Sequence, residues 1–77
     1  MNRPDSVEFQ RRIGERIRAL RNAKGISQEA FAAACGLHRT HMSLLERGKV
    51  NLTVNTLHQI TIALGIKLKD FFAKMKY

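Results

Sequence analysis

The residues best placed to do chemistry lie in the run RTHMSLLER, from Arg39 to Arg47. At 100° per residue this run divides into two faces. Met42 and Leu45 point one way, with His38 near them. Thr40, Ser43, Leu44 and Arg47 point the other way, with Arg39 on the flank. The outward face is short, polar and basic, with one apolar residue. An α-helix fits the major groove of duplex DNA, and its N-terminal residues reach the base edges. Arg39 can bond both O6 and N7 of a guanine. Thr40 can bond a base or give its methyl to thymine, and Leu44 can pack on a thymine methyl. The plainer alternative for Arg39 is an ordinary exposed arginine.

Other chemistries find less support. Cys35, His38 and His41 have spacings that suggest zinc, but a fourth ligand is missing and Cys35 is expected to face the core. No metal and no cofactor are expected. No credible Ser-His-Asp set or phosphate-cradling glycine loop is present, and a chain this small offers little room for a pocket. An enzyme is not expected.

The formal net charge is +8, from 14 Lys and Arg against 6 Asp and Glu in 77 residues, and the sequence pI is near 10.6. Such an excess implies an anionic partner: nucleic acid, an acidic protein or a membrane surface. A chain this short buries only roughly 60–65% of its unfolded surface, so association would help it. The single cysteine rules out an intrachain disulfide and suits a reducing compartment. The start MNRPDSVEFQRR turns polar at once and does not read as a signal peptide. No apolar run approaches the roughly 18 residues of a membrane span. A small soluble cytoplasmic protein with no membrane partner is the expectation.

The elements that must position the Arg39–Arg47 face are helices. Residues 1–5 are expected to be loose, with Pro4 and Asp5 or Ser6 offering a start. The first helix should run to about Lys24, with Gly25 as its stop. Phe9, Ile13, Ile17 and Leu20 share one face of it. Arg11, Arg12, Arg16 and Arg18 lie off that face, as a solvated surface or as groups approaching phosphates. Ser27 caps a second, alanine-rich helix, about Gln28 to Cys35, in which small Ala32 is the candidate for a close helix crossing. Gly36 stops that helix, and Leu37 follows as a hydrophobic plug. The third helix covers about Arg39 to Arg47. Thr53 caps a fourth, reaching Leu64, with Leu57, Ile60, Ala63 and Leu64 inward and Ile62 pointing away. A last helix, Leu68 to about Lys74, carries Leu68, Phe71, Phe72 and Met75.

Short helix, Gly-containing turn, second helix with polar residues at its start is the helix-turn-helix layout. The chain resembles the cro/repressor-type (XRE-like) helix-turn-helix regulators. Gln28, Ala32, Gly36 and Glu46-Arg47-Gly48 carry the match, which covers about Ile13 to Phe72. Within that family, GLHRTHMSLLERGKVNLT is most similar to the controller proteins of restriction-modification systems. The resemblance implies an all-α, compact five-helix domain of the lambda-repressor-like type, spanning residues 1–77 as one domain. It implies a partly buried structural ion pair between Arg21 and Glu46. It also implies a sequence-specific regulator that binds double-stranded DNA at its own promoter as a dimer, activating at one site and repressing at another, with RNA polymerase as a further partner. His41 and Met42 depart from the Tyr-Ile usual in controllers, which makes His41 a fourth candidate for base contact. Lys67 stands where the family usually has a Ser or Thr cap.

Around the third helix, Gln28, Ser43, Arg47, Lys49, Asn51 and Thr53 are the candidates for phosphate contact, the last two beside helix-start amides that attract anions. One short recognition helix reads too few base pairs for a genomic address, so a homodimer on a palindromic operator is expected. Leu52, Val54, Ile62, Phe71 and Phe72 are the candidate dimer residues, because Ile62 lies off its helix's core face and adjacent Phe71 and Phe72 cannot easily face the same core; Tyr77 is a further candidate. The rival readings are a phage-type repressor, an antitoxin-like module whose main partner is a protein, and a membrane-surface basic peptide. The last is discounted because the first helix lacks tryptophan and needs its apolar face for the core.

Overall fold

The computed structural model describes residues 4–75. Five helices follow in order: α1 Pro4–Ala23, α2 Gln28–Ala34, α3 Arg39–Glu46, α4 Val54–Leu64 and α5 Leu68–Phe72. The looseness expected of residues 1–5 does not extend to Pro4 and Asp5, which already belong to α1, since proline suits a helix's first turn; residues 1–3 and the expected Tyr77 contribution lie outside the described residues.

Local chemistry sets the boundaries. The Ser27 hydroxyl accepts from the Ala30 amide at 3.1 Å, and Thr53 Oγ1 accepts from the Thr56 amide at 3.0 Å. Each satisfies one of the orphan donors of a helix start. The start of α3 uses a cap the sequence did not flag: His38 Nδ1 accepts from the Thr40 amide at 3.1 Å. His38 is therefore exposed at the helix start rather than beside the Met42–Leu45 face. The end of α2 shows how the turn closes. Gly36 takes φ 72°, and the Leu37 amide reaches back to the Ala32 carbonyl at 2.8 Å. This 6→1 bond needs a left-handed residue, which glycine supplies without strain.

One core lies between the helices: Ile13 and Ile17 of α1, Phe31, Ala32 and Cys35, Met42 and Leu45 of α3, Ile60 and Leu64 of α4, and Phe71 of α5. Ala32 is buried where α2 packs on α3, as small residues permit. Ile62 is 59% exposed, on the opposite side of α4 from Ile60 and Leu64.

Two expectations need correction. Phe9 does not join the core; it is 40% exposed and lines a groove with Leu52, Val54 and Phe72. Phe71 is not available as a dimer residue, because it is fully buried. The adjacent phenylalanines do divide, with ring centroids 5.1 Å apart and planes at 81°, but Phe72 alone looks outward.

α5 is held from outside itself. Lys67 makes no side-chain cap. Instead Arg16 donates from Nε to the Phe71 carbonyl at 2.7 Å and from Nη2 to the Asp70 carbonyl at 3.0 Å. A charged donor on the terminal carbonyls holds the other end of this short helix, while the amides at its start go without a side-chain cap.

Candidate nucleic-acid interface

α3 presents its two faces as different surfaces. Met42, Leu45 and Glu46 are buried, Ser43 and Leu44 are half-buried, and Arg39, Thr40, His41 and Arg47 are exposed. The side chains of Arg39, Thr40 and His41 have no hydrogen-bond partner among the described residues, so their donors are open to a ligand. Leu44 is less exposed than its place on the outward face suggested.

The inward face is fixed by a charged network. Glu46 Oε2 accepts from Arg21 Nε at 2.7 Å, and Glu46 Oε1 accepts from Arg21 Nη2 at 3.0 Å. The pair is buried and bidentate, the geometry in which a guanidinium binds a carboxylate best. Arg21 Nη1 donates to the Ile26 carbonyl at 2.8 Å, and Gln28 Nε2 donates to Glu46 Oε1 at 3.1 Å. α1, the start of α2 and the end of α3 thus meet on one carboxylate, and the α1–α2 turn joins them through Arg21. Gln28 keeps its second amide hydrogen for another acceptor.

Backbone contact supports the same junction. Gly14 is buried; a Cβ there would stand 2.6 Å from the Glu46 carbonyl oxygen. At Gly48, which closes the end of α3 with φ 69°, a Cβ would stand 2.6 Å from Arg11 Cα. The sequence signal for Gly14 was a glycine inside a helical pattern between Ile13 and Ile17, where alanine would be favoured by about 1 kcal/mol.

After α3, the chain carries exposed Lys49, Asn51 and Thr53. Asn51 Oδ1 accepts from Gln10 Nε2, which ties the loop to α1. Thr53 Oγ1 caps α4 and also donates to Thr56 Oγ1 at 2.9 Å. Its hydrogen is spent inside the protein, so the donors facing out here are the first amides of α4 rather than the Thr53 hydroxyl. Arg47 Nε donates to the Ser43 carbonyl at 3.3 Å, and the rest of its guanidinium is exposed.

Of the candidate dimer residues, Leu52, Val54 and Phe72 come together along one apolar groove of about 310 Å³, with Phe9, Leu57 and Val50. Val54 is 83% exposed. Ile62 is not among the residues lining that groove.

The Helix-turn-helix family model matches residues 17–71. The chain belongs to this family. Among its helix-turn-helix relatives, Control protein C.BamHI of Bacillus amyloliquefaciens is 41% identical over 59 residues, covering 75% of this chain and 73% of that protein. Control protein C.MunI of a Mycoplasma species is 39% identical over 66 residues, covering 84% and 89%. The crystal structure of the restriction-modification controller protein C.AhdI from Aeromonas hydrophila superposes with a TM-score of 0.81 at 35% identity, covering 84% of this chain and 98% of that one. The order α2, Gly36 turn, α3 is the helix-turn-helix unit and lies within the matched residues. No helix among the described residues is long and apolar enough to cross a membrane.

Proposed function

We propose that this chain is a dimeric, sequence-specific transcription regulator that binds duplex DNA at the promoter of a restriction-modification operon, its own gene included. The observation that carries this is the pairing of an open Arg39-Thr40-His41 end with an α3 whose other face is anchored by the Arg21–Glu46 pair. A recognition helix must be rigid to discriminate, since a base contact is lost by small misplacement. α3 lies in the major groove, with Arg39, Thr40, His41 and Leu44 toward the bases. Lys49, Arg47, Ser43, Gln28, Asn51 and the first amides of α4 take the phosphates on either side. The restriction-modification setting rests on the likeness to the control proteins.

The dimer brings two copies together over the groove of Leu52, Val54 and Phe72, adjoining the end of α3. It sets two recognition helices about 34–36 Å apart on one DNA face, for a palindromic operator. RNA polymerase is the partner when the bound dimer activates, and the cytoplasm is where both are met.

The experiment is footprinting on the DNA upstream of the chain's own gene. Protection of two symmetric half-sites at nanomolar protein is expected, against unrelated duplex bound far more weakly at the same salt. Equal binding to all duplexes would remove the regulator reading. Sedimentation tests the dimer: Val54→Asp should give a folded monomer with weakened operator binding. A monomer at tens of micromolar for the unmodified protein would remove the dimer.

A further inference from the structure

Besides Arg21, α1 carries Arg11, Arg12, Arg16 and Arg18, and the structure gives them different tasks. Arg11 bonds Glu8 at 2.7 Å and Glu15 at 2.6 Å. Arg12 bonds Glu8 at 2.8 Å. Arg16 holds the carbonyls at the end of α5. Arg18 has no hydrogen bond or ion pair among the described residues, and it is exposed.

Its position is on the reading side. Arg18 lines a polar recess of about 350 Å³ with Arg21, Gln28, Ser43, Glu46 and Arg47. Arg12 lines a different recess, with Lys74 and Met75. Within the Arg18 recess, Arg21 and Glu46 neutralise one another. The charge left is that of two exposed guanidiniums, Arg18 from α1 and Arg47 from α3. Lining the same recess are Gln28, with its second amide hydrogen, and Ser43, with its hydroxyl. Two like charges with two neutral donors and no carboxylate of their own form an anion seat. Ser43 and Arg47 share a helical face with Thr40, so the seat continues the surface that meets the bases.

We propose that this recess is a phosphodiester subsite of the duplex, with Arg18 as its α1 jaw and Arg47 as its α3 jaw. The proposal rests on the DNA-binding reading above and names a contact on α1 that extends the phosphate track beyond α3 and the loop after it. Because Glu46 also holds the Gln28 amide, the seat and the recognition helix are fixed by the same carboxylate. A phosphate bound there would bring α1 against the DNA backbone beside the groove that α3 occupies.

The test uses the full chain and measures binding to an operator duplex and to a random duplex over a series of salt concentrations. Arg18→Gln should weaken both duplexes by a similar factor, roughly three- to tenfold, and reduce the slope of log K against log salt by about one. Its thermal midpoint should match the unmodified protein, because the side chain has no partner to lose. Arg12→Gln, facing the other recess, should leave the slope unchanged. An unmodified protein that binds no duplex would overturn the DNA reading and this subsite together. An unmodified protein that binds normally, with Arg18→Gln equal to it in affinity and slope, would overturn the subsite alone. So would an equal loss of slope in Arg12→Gln, which would make the effect one of net charge.

Discussion

Gly14 and Glu46 meet backbone to backbone: a Cβ at position 14 would stand 2.6 Å from the Glu46 carbonyl oxygen, and closer still to that of Leu45. Both acceptors belong to the main chain, so no side chain can turn aside to make room. Gly14→Ala therefore opposes two effects. Alanine gains about 1 kcal/mol in an exposed helix interior, whereas overpacking costs typically about 1–3 kcal/mol. Denaturant titration should show a net loss of stability, and discrimination between operator and random DNA should narrow as α3 shifts. A more stable variant would mean that α1 and α3 are not in such close contact.

Glu46 accepts from Arg21 at both oxygens and from Gln28. Removing one partner of a buried pair commonly costs about 3–5 kcal/mol, because the other charge is stranded. Glu46→Gln should lower the thermal midpoint markedly and loosen Gln28. An unchanged midpoint would show that Arg21 finds water there and that the pair does not hold the helices together.

Base readout and phosphate contact separate by their salt dependence. Arg39→Ala should lose roughly 1–3 kcal/mol on the operator and relax discrimination at one base position, with little effect on random duplex. Lys49→Ala should weaken all duplexes alike and lower the salt slope by about one. Equal loss of operator and random binding in Arg39→Ala would reassign Arg39 to the backbone.

Burial pushes the Cys35 thiol up to about 11 from 9.0. The folded state then keeps its proton in a range where the unfolded chain gives it up. The stability tied to the neutral thiol is complete below about pH 9 and falls away as pH rises toward 11. The stability of the unmodified protein relative to Cys35→Ala should decline across that window. At about pH 8 a thiol reagent should modify the folded protein only through opening, since thiolate and access are both lacking. Fast modification of native protein would place Cys35 outside the core.

Much of this was legible because it is local. Ser27 and Thr53 announce helix starts by their own hydroxyls. Met42 and Leu45 fall on one side of α3, and Ile62 falls outside on α4, by the helical period alone. Other features depend on groups that carry no sequence mark. The partners of Arg16 are backbone carbonyls, which every residue has. α5 spans five residues, too few for periodicity to choose between Phe71 and Phe72. Phe9 has the right spacing for the core, yet it lies toward the start of α1, in the groove beside Phe72. Helical spacing sets His38 beside Met42 and Leu45, and nothing in the sequence marks it as a cap, because imidazole is an uncommon cap. Thr53 stood out as a donor to phosphate, and a second threonine three residues on consumed that hydrogen.

The Arg16 bonds to Phe71 and Asp70 reach across 55 and 54 residues, and that separation sets an order of assembly during synthesis. Chains emerge from the ribosome N-terminus first. Arg16, the α2–α3 unit and the Arg21–Glu46 pair have all been made before the carbonyls that Arg16 must hold. Until Asp70 and Phe71 are made, its guanidinium lacks these two acceptors. A chain that stops after Gly65 has α2 and α3 but no α5, and so no Phe72 to line the groove. On the proposed dimer, pairing waits for residues 66–72, because they bring Phe72 to the groove with Leu52 and Val54.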